Sequence, residues 1–68
     1  MQLTVNGDVR DLSDELTISD LLITMDLDPD QKGIAVAVNA EVIARSSWVE
    51  RRLNDGDQVD IIHAVQGG

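Results

Sequence analysis

The sequence predicts a small α+β domain in which about five strands pack on one main helix. Three observations carry that expectation. At the N-terminus Met1, Leu3 and Val5 alternate with Gln2, Thr4 and Asn6, the period-2 pattern of a strand with one buried face. Ile18, Leu21, Leu22 and Met25 then stand at i, i+3, i+4 and i+7, which puts them in one stripe of a helix. Past the helix, short apolar runs at 34–39, 42–44 and 58–65 are separated by turn residues, as strands of one sheet would be. Sixty-eight residues suffice for one core, because chains divide into separate domains only at several times this length.

Taken in order, the first strand meets Asn6-Gly7, two residues that tolerate positive φ, and so turns into a hairpin. Its second arm runs over about 8–12, with Val9 its clearest apolar position. Thr17 is placed to cap a helix over about 18–26, with Asp20 three residues on in a weaker variant of the Ser/Thr-x-x-Glu box. The sequence Leu27-Asp28-Pro29-Asp30 ends that helix, since proline disfavours its continuation. Large and small apolar residues alternate through 34–39, which reads as a central strand with Val36 and Val38 in the core. A turn at 39–41 leads to the strand at 42–44. Ser47 and Glu50 repeat the capping spacing, so a single helical turn is expected to carry Trp48. Asn54-Asp55-Gly56-Asp57 is a strong turn signal before the last strand, 58–65. The expected order is β-β-α-β-β-turn-β.

Composition removes several function classes. There are no cysteines and one histidine, so disulfides, thiolate metal sites and a cysteine nucleophile are excluded and no metal centre is expected. Thirteen acidic residues against five basic ones, for a net charge of −8, repel a phosphate backbone, so nucleic acid is not expected as a partner. The single aromatic residue, Trp48, offers no stacking platform. No apolar run approaches the roughly 20 residues that cross a bilayer, and the N-terminus lacks the basic and apolar regions of a signal peptide. A cytoplasmic protein without membrane association is the expectation. Eight of the acids lie between Asp8 and Asp30, whereas Arg45, Arg51 and Arg52 cluster later. Solvated surface is the favoured reading of that asymmetry.

Few side chains suggest chemistry. His63, between Ile62 and Ala64, reads as an ordinary strand histidine, with no nucleophile or orienting carboxylate at a telling spacing. Asp55 and Asp57 flank a glycine, yet two carboxylates fall short of the six to eight oxygens of a calcium site, so the turn reading prevails. Ser46 and Ser47 have no histidine partner. Trp48 is expected as a satellite of the core with its indole N–H at the surface. The last strand has apolar residues on both faces: Val59, Ile61 and Val65 on one, Ile62 and Ala64 on the other, the second interrupted by Asp60. With one helix available, Ile62 and Ala64, joined by Ala35 or Ala37, are expected to form either an exposed patch for a protein partner or a face shielded by neighbouring side chains.

The chain closes on Ala64-Val65-Gln66-Gly67-Gly68. The domain is expected to span 1–65, with 66–68 a flexible Gly-Gly tail; Val65, at the end of the domain, and Gln66 lead into the glycines. Two residues without Cβ can thread a narrow cleft. The usable group is the Gly68 carboxylate, ionised at neutral pH, which is able to attack the α-phosphate of ATP on a partner enzyme. The resulting acyl-adenylate makes the Gly68 carbonyl carbon electrophilic and open to sulfur or amine nucleophiles.

In size, element order and terminal Gly-Gly the chain resembles the ThiS/MoaD family of ubiquitin-like, β-grasp sulfur carriers, and within it the ThiS type. The resemblance runs through Gln2-Leu3-Thr4-Val5-Asn6-Gly7, Ile18-Ser19-Asp20-Leu21-Leu22, Ile34-Ala35-Val36-Ala37-Val38-Asn39, Leu53-Asn54-Asp55-Gly56-Asp57 and Ala64-Val65-Gln66-Gly67-Gly68. Arg45 and Trp48 also match, while Ala44 stands where the family frequently has proline. The resemblance implies a mixed sheet and a carrier that is a substrate of partner enzymes, has no catalytic residues of its own and binds no cofactor. A ThiF-type adenylyltransferase would activate Gly68 with ATP and magnesium. A sulfur donor such as a persulfide enzyme would convert the adenylate to a thiocarboxylate, and a ThiG-type thiazole synthase would receive the sulfur for thiamine biosynthesis. Gly67 carries over as tail, Ile62 and Ala64 only as docking face. The alternatives are the small subunit of molybdopterin synthase, which shares the terminal chemistry, a ubiquitin-like protein modifier, and an interaction module whose glycine end is incidental.

Overall fold

The structure, a computed structural model, describes residues 1–63. Its elements are β1 (Gln2–Val5), β2 (Asp8–Asp11), α1 (Ile18–Thr24), β3 (Ile34–Val38), β4 (Glu41–Ile43), a 3-10 turn (Arg45–Ser47) and β5 (Gln58–His63), in the expected order. The strands form one sheet in the order β2-β1-β5-β3-β4. It is mixed, because β1 and β5 run parallel while the other neighbours are antiparallel. This is the α+β architecture of a mixed five-stranded sheet packed on one helix. Val65 and the 66–68 tail lie outside the described residues.

The hairpin β1–β2 closes on Asn6 and Gly7 at φ 50 and 86, the positive pair that a two-residue turn matched to strand twist requires. Asn39 and Ala40, at φ 51 and 70, do the same between β3 and β4. Leu3 and Val5 of β1, Val36 and Val38 of β3, and Val59 of β5 meet Ile18, Leu21 and Leu22 of α1 in one core. Each such side chain contributes roughly 1.5–3 kcal/mol when fully buried. At the strand start the Met1 ammonium donates to the Leu12 carbonyl oxygen at 2.6 Å and lies 3.1 Å from Asp14. The hydrogen bond to Asp14 is the main cause that raises its pKa above the ordinary N-terminal value.

Four expectations need correction or sharpening. The central strand is β5, and β3 is its interior neighbour. Helix α1 ends at Thr24, before Pro29 can act: Asp26 takes φ 61, and the Asp26 and Leu27 amides donate back to Ile23 and Leu22 carbonyls at 3.0 and 2.8 Å. That pattern is a Schellman cap with Asp where glycine usually sits. The Thr17–Asp20 capping box forms in full, with both bonds at 3.1 Å. Ser47, by contrast, caps nothing: the 3-10 turn starts after Ala44 with no side-chain cap, and Ser47 supplies only its carbonyl, to the amides of Glu50 and Arg51.

Asp26 is exposed, strained by its positive φ and negative at the negative end of the helix dipole. Asp26→Gly is expected to raise unfolding free energy by about 1 kcal/mol, seen as a higher urea midpoint with an unchanged slope.

Candidate functional site

The site is built on β5, the strand that runs toward the carboxyl end. Val59 and Ile61 point into the core, and Ile62 points away from it and is 52% exposed. Ile62 therefore stands on an open face, so shielding by neighbours fails as its description. Ala35 lies directly across from Ile62 and Ala37 across from Asp60, so these four share the sheet face opposite α1. Ala35 is partly buried and Ala37 is 7% exposed, which leaves Ala37 out of the exposed patch. Val42, opposite Ala37 on β4 and 70% exposed, joins it instead. Val9, opposite Thr4 on edge strand β2, is another apolar side chain on this face. Ala64, Val65, Gln66, Gly67 and Gly68 lie outside the described residues.

Backbone pairing holds β5 from both sides. Asp57 and Val59 carbonyls accept from the amides of Thr4 and Asn6 at 3.0 and 2.9 Å, and the Gln58 carbonyl accepts from the Asn39 amide at 2.7 Å. The Asn6 side-chain oxygen accepts from the Ile61 amide at 2.7 Å. Sequence reading placed Asn6 only as a turn residue, and nothing local announced this second role.

The 54–57 turn fixes where β5 begins. Asp57, 9% exposed, accepts from the Asn54 amide at 2.8 Å and from the Asn39 side-chain amide at 3.0 Å. Asn39 in turn accepts from the Gln58 amide at 3.0 Å. Asp55 accepts from the Gln2 amide at 2.6 Å. Both carboxylates are committed to main-chain and amide donors, as the turn reading expected. Among the described residues no group of three or more His, Asp or Glu side chains is arranged to hold a metal ion.

His63 is exposed at the end of β5, in register with Ile34. Trp48 departs from its expected place. It is 2% exposed and belongs to the main core, and its indole N–H donates to the Ile43 carbonyl oxygen at 2.9 Å. Arg45 lies over its ring, 4.6 Å from the centroid. The same guanidinium donates to the carbonyls of Pro29, Gln31 and Ile34, so it ties the α1–β3 connection to the turn that follows β4. Arg52 faces Glu15 at 3.7 Å on the surface. Arg45 is thus structural, and Arg45 and Arg52 are engaged with separate partners.

Replacing Asp57 with alanine strips two donors of their acceptor at the root of β5. A loss of about 1–3 kcal/mol is expected, measurable as a lower urea midpoint.

Comparison with known proteins gives the following. The model of the ThiS family matches residues 3–68. The sulfur carrier protein ThiS of Escherichia coli (strain K12) is 31% identical over 68 residues, covering all of both chains. That of Bacillus subtilis (strain 168) is 39% identical over 67 residues, covering 97% of this chain and 98% of the relative. A thiazole synthase of Paramagnetospirillum magneticum is 35% identical over 68 residues, and there the chain spans only 20% of the relative's length. The crystal structure of the thiamine biosynthesis protein (ThiS) from Geobacter metallireducens superposes with a TM-score of 0.85 at 28% identity, covering all of both chains.

Proposed function

The chain belongs to the ThiS family and is a sulfur carrier of thiamine biosynthesis, and from that premise we propose that the Gly68 carboxylate is the group that is loaded. The observation that carries this reading is the span of the family match, which runs through the terminal Gly67-Gly68. The family is one of small carriers, and loading falls to partner enzymes. One carboxylate oxygen attacks the α-phosphate of ATP, held with magnesium by a ThiF-type adenylyltransferase, and pyrophosphate leaves. The terminal sulfur of a persulfide then attacks the carbonyl carbon and AMP leaves. A thiol cleaves the remaining S–S bond, which yields the Gly68 thiocarboxylate and a disulfide. Glycine suits both steps, because no side chain blocks the carbonyl or the partner's cleft. The sulfur then passes to a thiazole synthase, a partner class supported by the thiazole synthase relative that contains a region similar to this chain.

The face around Ile62, with Ala35 and Val42, supplies the docking surface. Apolar area there gives affinity, and the surplus of acid, including Asp60 on the same face, steers toward basic partner surfaces and raises encounter rate more than affinity.

Incubating the chain with ATP, magnesium, a ThiF-type enzyme, a persulfide donor and a thiol is expected to raise its intact mass by the exchange of one oxygen for sulfur, localised to the Gly68 peptide. A chain lacking Gly68 is expected to gain nothing while keeping its melting temperature. Stable isopeptide conjugates in place of a thiocarboxylate would instead support a protein modifier. Ile62→Asp is expected to lower kcat/KM for loading by about tenfold or more, as loss of an interface anchor does. Its stability should fall by less than about 1 kcal/mol, because the side chain packs against little.

A further inference from the structure

Along β5 the backbone groups alternate between two neighbours. Carbonyls of Asp57 and Val59 accept from Thr4 and Asn6 on the β1 side, while the Gln58 carbonyl accepts from Asn39 on the β3 side. On the β3 side the pairing continues to the end of the strand, Ile34 standing opposite His63. On the β1 side it stops early, because the parallel register ends with Val5 opposite Val59 and the chain then turns into β2. The Ile61 amide is the next group to face that side. It donates to the Asn6 side-chain oxygen at 2.7 Å, where the next carbonyl of β1 would otherwise have been. Asn6 is therefore asked for two things at once. Its backbone adopts φ 50 in the hairpin turn, which glycine or aspartate also tolerates, and its side chain supplies an acceptor, which glycine does not.

We propose that Asn6 is a positioning residue for the loading of Gly68: by capping the Ile61 amide it extends two-sided support of β5 beyond the end of β1 and fixes the direction in which the strand leaves the sheet toward the carboxyl end. The inference rests on the Gly68 reading above. A terminal group that must reach a partner's catalytic centre loses rate when the segment presenting it wanders, since effective concentration at the reacting atom depends on how closely that segment is held.

The test compares Asn6→Gly, which keeps the turn and removes the acceptor, with Asn6→Asp, which keeps both. Amide hydrogen exchange, melting temperature and kcat/KM for thiocarboxylate formation with a ThiF-type enzyme, ATP, magnesium, a persulfide donor and a thiol are measured on each. In Asn6→Gly the Ile61 amide is expected to exchange about tenfold faster and kcat/KM to fall about tenfold, the scale set by loss of one hydrogen bond. Melting temperature should fall by about 5–10 °C, which leaves the chain folded at the assay temperature, and Asn6→Asp should restore exchange, melting temperature and kcat/KM. Unchanged Ile61 exchange, unchanged kcat/KM in Asn6→Gly, or failure of Asn6→Asp to restore them would overturn the proposal. If the parent chain itself forms no thiocarboxylate, the Gly68 reading fails first, and the exchange data alone then decide whether Asn6 holds β5.

Discussion

Parallel pairing of β1 with β5, Thr4 against Gln58 and Val5 against Val59, is the constraint on which the other features depend. Two strands far apart in sequence can lie parallel only if the chain between them crosses over the sheet, and α1 makes that crossing on the face where Leu3, Val5, Val36, Val38 and Val59 are buried. With one face given to the helix and one α-helix among the described residues, the other face has no helix to cover it and leaves Ile62 and Val42 exposed. Closing so long a loop costs entropy, and the burial of the apolar residues along these strands offsets it.

Side chains secure both ends of that pairing. At the start of β5, Asp57 gathers donors from Asn54 and Asn39, which joins the last turn to the β3–β4 turn. Farther along, Asn6 caps Ile61. Between them the central strand is bonded to β1 and β3, and it is the strand that leads to the Gly-Gly end. The loading proposed for Gly68 needs little more than this: a stable base, a face for a partner to hold, and a terminal carboxyl group. Several carboxylates and hydroxyls serve caps and turns, such as Thr17 with Asp20 and Asp55 with Gln2, and none of these is needed for the chemistry proposed at Gly68.

Much of this was legible in sequence wherever the signal is local. Period-2 alternation gave β1, the i, i+3, i+4, i+7 stripe gave α1, and Thr17-x-x-Asp20 announced its own capping box because all partners lie within one turn. The functional reading was legible for a different reason, since it rests on the family pattern ending in Gly67-Gly68. The misses are tertiary. Asp26 ends the helix in a left-handed conformation that aspartate adopts less readily than glycine, so Pro29 looked like the stop. Ser47 has the spacing of a cap but sits inside a 3-10 turn. Trp48 entered the core because Ile43 offers its indole a carbonyl and Arg45 covers its ring, contacts that no local pattern encodes. Asn6 looked like a turn residue alone, since its second partner is Ile61, at the other end of the chain.

Held from both sides, β5 is the most firmly fixed strand of the sheet, and the direct test is native-state amide hydrogen exchange across a denaturant series. Amides of Val59, Asp60, Ile61 and Ile62 are predicted to exchange only through global unfolding, whereas those of β2 and β4 at the sheet edges open at lower free energy. Opening of the β5 amides at or below the free energy of those edge strands would contradict it.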